Sequence, residues 1–174
     1  MQGFKIVIAT KEREPEDLIL IGKDIDAQYA PESQETDEDT IIEHVEIFLD
    51  TIDDNVKKKS GGMLAKIVIK GTIPPKPALM KKFRKLSEWA RDNGSTQYRD
   101  ICIGIRSDKT TFQSVYSVKN VFVVDYREVY VLDGKQDAGN ATRFELYLTQ
   151  EQNNLQEIEI LSDWPADWEW ARKG

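Results

Sequence analysis

Apolar residues recur along most of this chain with the two-residue period of a β-strand. Val45, Ile47 and Leu49, for example, alternate with Glu46 and Asp50. Because successive side chains of a strand point to opposite faces, this period places the apolar residues on one face of a sheet. The pattern predicts strands at about 4–9, 18–21, 25–29, 41–50, 64–72, 101–105, 112–126, 144–148 and 155–161.

One segment has the period of an α-helix instead. Leu79, Phe83 and Leu86 are three or four residues apart, as they would be on one helix face. Proline suits the first turn of a helix and glycine the position after its end, so Pro77 and Gly94 bracket the segment. We therefore predict a helix at about 77–92. Its opposite face is basic, with Lys81, Lys82, Arg84, Lys85 and Arg91.

These elements predict a mainly β fold: an antiparallel β-barrel of two packed sheets, flanked by one α-helix on its side or mouth. The whole chain, 1–174, is expected to form one domain. Within it, 31–39 carries five acids and no base, which predicts a mobile loop. Residues 50–62 are expected to form the charged tip of a long hairpin, and 162–174 an irregular tail rich in tryptophan.

Composition and charge narrow the function classes. The net charge of −7 disfavours a general nucleic-acid binder, because phosphate binding needs a basic surface. No apolar run approaches the roughly 20 residues of a membrane-spanning helix, so we expect no membrane insertion. The chain starts with a strand pattern rather than a basic-then-apolar leader, so synthesis in the cytoplasm is expected.

The search for catalytic chemistry finds no motif. The one histidine, His44, has no second metal-ligand partner at a zinc-site spacing, and it is expected to be a solvent-facing strand residue. The one cysteine, Cys102, lies in an apolar run and is expected to be buried. We therefore predict no catalytic residue, no cofactor and no metal site. Acid pairs in the charged loops are interpreted as solvated carboxylates.

The distribution of charge favours assembly over binding to nucleic acid. Acidic and basic elements lie in different parts of the chain, and opposite charges on separate surfaces favour head-to-tail contact between copies. The residues predicted to contact other subunits fall into three groups. These are Glu35, Asp37 and Glu38 in the acidic loop, Val56, Lys57, Lys58, Lys59 and Met63 in the hairpin tip, and Lys81, Lys82 and Lys85 on the helix.

The layout from the helix onward resembles the tube proteins of contractile tails, including the Hcp protein of type VI secretion and myophage-like tail-tube proteins. The resemblance rests on a helix at 77–92, strands at 99–106 and 113–125, a polar loop, and a strand at 142–148. It includes the run Val121-Phe122-Val123-Val124-Asp125-Tyr126 and the strand pattern Arg143-Phe144-Glu145-Leu146-Tyr147-Leu148. The loop at 31–39 and the tail at 162–174 depart from a plain tube protein and suggest a tube initiator or baseplate adaptor.

This resemblance implies a structural subunit. Six copies would form a ring, rings would stack into a tube, and the extended loop 50–62 would reach a neighbouring subunit or ring. Sheath or baseplate proteins would be the other partners, within a phage-like particle or an exported apparatus. Two other classes remain open. One is a ligand- or peptide-binding barrel, with a pocket lined by Trp89, Tyr116, Phe122 and Tyr126, and the other is a hydrolase with an unrecognised site.

Overall fold

The structure, a computed structural model, describes residues 3–10, 18–21, 42–51, 63–73, 77–107, 111–130, 142–150 and 158–166. Eight strands and one α-helix lie within these ranges. The strands are β1 (Gly3–Ala9), β2 (Leu18–Ile21), β3 (Ile42–Thr51), β4 (Met63–Ile73), β5 (Arg99–Arg106), β6 (Phe112–Tyr130), β7 (Thr142–Gln150) and β8 (Ile158–Leu161). The helix, α1, spans Pro77–Arg91, and a short 3₁₀ turn follows at Ser95–Gln97.

The strands form one curled antiparallel sheet in the order β2-β1-β5-β6-β7-β4-β3, with β8 pairing to β6. The mainly β fold with one flanking helix is therefore confirmed. The two packed layers are two halves of a single sheet, because the 19-residue strand β6 belongs to both. Its first half pairs with β5 and its second half with β7. The predicted strand at 25–29 lies outside the described residues.

The main core lies between the two halves of the sheet and beneath the helix. Ile6, Ile67 and Leu146 are fully buried in it, together with Leu86 of α1. The helix also buries Phe83, whose ring lies 4.8 Å from that of Phe144 on β7. The 3.6-residue period thus places one apolar helix face against the sheet, and burial of such a face supplies most of a helix's stability in a protein.

A β-bulge bends β6 in the middle of its length. The pairing with β5 shifts between Arg99/Val121 and Ile101/Val118, so β6 has an extra residue there. Asn120 adopts a φ of 56°, which asparagine tolerates better than most residues. The backbone N–H of Asn120 donates to Asp100 (3.2 Å). The bulge lets one strand pass from one half of the sheet to the other.

Gln150 braces this bend from the neighbouring strand. Its side chain is 1% exposed, and its Nε2 donates to the carbonyl of Lys119 at 3.1 Å. Its Oε1 accepts from the backbone N–H of Ala65 at 3.4 Å. A buried amide that satisfies two backbone groups therefore links β4, β6 and β7, where unpaired groups would cost stability.

A second, smaller core covers the other face of β1, β5 and β6. It contains Val7, Cys102, Phe112, Val115 and Trp164. Trp164, from the tail predicted to be irregular, is only 5% exposed and lies against this face. The burial predicted for Cys102 is confirmed. The start of the tail is thus part of the packed structure.

Candidate subunit interface

Among the described residues, the two longest strand edges without a strand partner belong to β3 and β6, and the four-residue strands β2 and β8 have one open edge each. The described partner of β3 is β4, and β3 is ten residues long. The strand β6 pairs with β5 only as far as Val121, so that its edge on that side, at 122–130, has no described partner. Unpaired backbone N–H and C=O groups at such edges are templates for pairing with another chain.

These two edges bound one four-stranded layer, in the order β3-β4-β7-β6. The register places His44, Lys70, Glu145 and Arg127 in one row across its outer face. The next row contains Glu46, Val68, Tyr147 and Asp125. Phe48 and Val124 also project outward, with exposed fractions of 52% and 61%. The outer face is therefore a mixture of charged and apolar side chains.

Glu145 is the centre of an ion-pair network on this face. Its Oε2 accepts from Nη2 of Arg127 at 2.6 Å and from the hydroxyl of Tyr147 at 3.0 Å, and its Oε1 lies 3.7 Å from Nζ of Lys70. The hydrogen bond from Tyr147 lowers the pKa of this carboxyl, and Arg127 and Lys70 lower it further. The carboxylate therefore stays charged, and it holds Arg127 at the β6 edge and Lys70 on β4.

On the opposite face, the end of β6 carries two tyrosines and a shared carboxylate. The hydroxyl of Tyr126 donates to Oε1 of Glu128 at 2.5 Å, and Tyr130 donates to Oε2 of the same residue. Burial is the largest cause of a raised pKa of Tyr126, and the bond to Glu128 adds to it. Both phenols stay protonated at neutral pH, so this end of the edge is held in a defined conformation.

A polar cavity lies across one end of β3, β4 and β7. It has a volume of about 260 Å³. Its lining includes Glu43, His44, Lys70, Arg143 and Glu145. The β3–β4 register shifts at Glu43, and Thr72 donates to its carboxylate at 2.7 Å. Acids and bases are mixed around this cavity, so it does not carry a strong charge of either sign.

The basic face of α1 is confirmed as solvent-facing where it is described. Lys81, Arg84, Lys85 and Arg91 are exposed, together with Met80 at 53%. Glu88 is the acid on this exposed face. The position of Lys82 is in the helix, but its side chain is outside the described set. The structure thus leaves Lys81 and Lys85 one turn apart on a basic surface.

The other predicted contact residues are mostly not described. Glu35, Asp37, Glu38, Val56, Lys57, Lys58 and Lys59 lie outside the described residues. Met63 begins β4, but its side chain is also outside the described set. These residues remain predictions.

The two residues considered for catalysis, His44 and Cys102, lie in different parts of the structure. His44 is on the exposed outer face, and its Nε2 lies 3.4 Å from Oε2 of Glu46. Cys102 is buried in the second core. Among the described residues, no group of three or more His, Cys, Asp or Glu side chains is placed to hold a metal ion. No helix within the described ranges is long and apolar enough to span a membrane.

The aromatic pocket considered for a binding barrel is not assembled. Trp89 is 1% exposed and donates from Nε1 to the carbonyl of Gln97 at 2.7 Å. Tyr116 and Tyr126 pack against the main core that contains Trp89. Phe122 lies on the outer face and packs edge-on against Tyr98, with ring centroids 5.9 Å apart. The four rings therefore do not surround one cavity.

Sequence reasoning missed the residues along the β6 edge as contact candidates. Arg127 and Val129 belong to this edge, yet the strand was predicted to end near Tyr126. Val129 and Tyr130 are β-branched and aromatic residues typical of strands, and they could have shown the longer strand. Which side of that strand lacks a partner could not be found from the pattern.

Comparison with known proteins finds likeness in solved structures only. No family model and no curated protein matches the chain. A chain of the anti-feeding prophage baseplate is 12% identical with a TM-score of 0.46, over 91% of this chain and 92% of that one. A chain of an extracellular contractile injection system sheath–tube complex is 13% identical with a TM-score of 0.44, over 91% and 89%.

A third similar structure is a type six secretion system protein, 12% identical with a TM-score of 0.42, over 83% of this chain and 78% of that one. The last two structures belong to a contractile injection system and a type six secretion system. Because the identities and TM-scores are low, the function is inferred from this chain's own edges and charges.

Proposed function

We propose that this chain is a structural subunit that assembles with copies of itself, edge to edge, into a ring of a contractile, phage-like or type VI-like apparatus. The observation that carries the proposal is the four-stranded layer β3-β4-β7-β6, which has an edge without a described partner on each side. A monomer normally shortens, charges or covers such edges. A copy of the same chain would cover both.

The strand directions suit a head-to-tail ring. Each strand of the layer is antiparallel to its neighbour, so β3 and β6 run in opposite directions. A copy rotated about an axis along the strands keeps its strand directions, and its β3 would meet β6 of the first copy as an antiparallel pair. The two edges are different surfaces, so the contact is heterologous and repeats until the ring closes.

The finer features follow the sequence resemblance. Six copies would make a ring of roughly 80–90 Å across, a scale that follows from packing six such globules around a pore. Rings would stack through the loops at 31–39 and 50–62. The basic residues Lys81, Lys82 and Lys85 of α1 would contact an acidic neighbour, either another subunit or a sheath or baseplate protein. The whole chain would act as one domain, made in the cytoplasm and without enzymatic turnover.

Electron microscopy and light scattering of the purified protein test the proposal. We expect rings or stacked rings that grow with concentration, and Phe48→Lys should reduce them because it adds a charge beside the β3 edge. Ile160→Lys is the matched control, because Ile160 is exposed to a similar extent (57% against 52%) but lies on β8, outside the four-stranded layer. A protein that stays monomeric at every concentration and salt level would refute the proposal.

A further inference from the structure

The side chains along the two open edges allow only a few registers of pairing. In an antiparallel pair, residues that face each other across the strands must also lie on the same face of the sheet. On the outer face, β6 presents Asp125, Arg127 and Val129. The outer face of β3 presents His44, Glu46, Phe48 and Asp50. Arg127 can therefore face only one of these four positions in a neighbouring copy.

Two of the four registers bring like charges together. If Arg127 faces His44, Asp125 comes opposite Glu46. If Arg127 faces Phe48, Asp125 comes opposite Asp50. Like charges directly opposite each other destabilise a strand pair.

A third register gives Arg127 an acid that is less exposed and already paired. If Arg127 faces Asp50, that carboxylate already lies 3.1 Å from Nζ of Lys66 in its own subunit. The side chain of Asp50 is 38% exposed, against 62% for Glu46, so it reaches less far from the sheet.

The remaining register places Arg127 opposite Glu46. The part of β6 beyond its bulge at 123–125 then lies opposite regular β3 strand, with 125–129 facing 44–48. Arg127 and Glu46 have side chains 61% and 62% exposed, so both can reach across the edge. On the inner face, the same register places Tyr126 opposite Ile47, an aromatic and β-branched pair of the kind that stabilises sheets.

We propose that β6 of one copy pairs with β3 of the next in the single register that sets Arg127 opposite Glu46. This rests on the proposed function and specifies its contact. Arg127 donates to Glu145 in its own subunit at 2.6 Å and also donates to a second carboxylate, that of Glu46 in the neighbour. Val129 faces His44, and Asp125 faces Phe48. The charges thus select the register as well as the partner.

Disulfide trapping tests the register directly, because two cysteines bond only when their Cα atoms are about 4.4–6.8 Å apart. The double variant His44→Cys, Val129→Cys leaves Arg127 and Glu46 in place. Mild oxidation of its assembled form should give a ladder of covalent multimers on a non-reducing gel. Wild type, whose only cysteine is the buried Cys102, gives the background.

Three further cysteine pairs report the competing registers. Glu46→Cys with Asp125→Cys would cross-link if Arg127 faced His44, Glu46→Cys with Val129→Cys if it faced Phe48, and Phe48→Cys with Val129→Cys if it faced Asp50. A ladder from any of these, without one from the His44/Val129 pair, overturns the register while the proposed function stands. Rings that form with no cross-link in any pair overturn the β3–β6 contact. If wild type forms no rings, the proposed function fails and this inference fails with it.

Charge reversal gives an independent measure of the same contact. Glu46→Lys should raise the concentration needed for half-assembly by roughly fivefold or more, because a cross-strand attraction becomes a repulsion. Arg127→Glu should do the same, and the combination of both should recover part of the loss. If the double variant assembles no better than either single variant, the two residues do not face each other.

Discussion

Removal of the Trp164 side chain should open the second core. The ring lies over β5 and β1, with its centroid 5.8 Å from that of Phe112 and the Nζ of Lys5 4.3 Å from its centre. Gly104 makes room for it, since a Cβ at that position would lie 3.3 Å from Cζ3 of Trp164 and 2.5 Å from the ring of Phe112. The tryptophan therefore fills a site that is shaped by the absence of a side chain.

The expected loss is large for one residue. Truncation of a buried tryptophan to alanine typically costs about 3–5 kcal/mol when the cavity cannot collapse. The surrounding strands are held by the sheet, so little collapse is expected, and Trp164→Ala should lower the free energy of unfolding by about 3–5 kcal/mol. Trp164→Phe retains a ring against Gly104 and should cost about 1–2 kcal/mol.

Cys102 provides a second readout of the same event. Its thiol is fully buried in this core, and β8, the strand that leads to Trp164, is only four residues long. Weaker attachment of this segment should increase its transient opening. Each loss of about 1.4 kcal/mol in the free energy of opening raises the opened fraction about tenfold. We expect thiol labelling of Cys102 in Trp164→Ala to be at least ~10-fold faster than in wild type.

The assay combines urea unfolding, followed by circular dichroism, with labelling by a thiol-specific reagent in the absence of urea. Met80→Ala is the control, because it removes an exposed side chain far from this core and should change stability by less than about 0.5 kcal/mol. A Trp164→Ala protein with stability within about 0.5 kcal/mol of wild type, and unchanged labelling of Cys102, would refute this account of the second core.

Two further predictions concern the bend in β6 and the outer-face network. Asn120→Ala should destabilise the protein by about 1–2 kcal/mol, because alanine tolerates a positive φ poorly, and Asn120→Gly should cost less in the same urea measurement; equal losses would contradict the strain argument. Glu145 has a lowered folded-state pKa, so its stabilising contribution is present above its ordinary value of 4.5 and is lost as pH falls through the folded value. The stability difference between wild type and Glu145→Gln should therefore be constant near neutral pH and shrink in acid, and a difference that grows in acid would contradict the assignment.

Much of the secondary structure could be predicted from the sequence because it depends on local periodicity. The alternation of Val45, Ile47 and Leu49 identified β3, and the spacing of Phe83 and Leu86 identified the buried face of α1. These features involve residues within a few positions of one another, and the geometry of helices and strands determines which of their side chains share a face.

Other features depend on which distant segments meet, and only the tertiary structure determined them. Nothing in the sequence indicated that Trp164 fills a site over Gly104, or that Gln150 satisfies backbone groups on two other strands. Nor did it indicate which edges of the sheet lack a partner. The sequence by itself determined the strands, the helix and its basic face. The tertiary structure decided which edges stay open and which charges lie on them, because strand pairing is a contact between residues far apart in the chain.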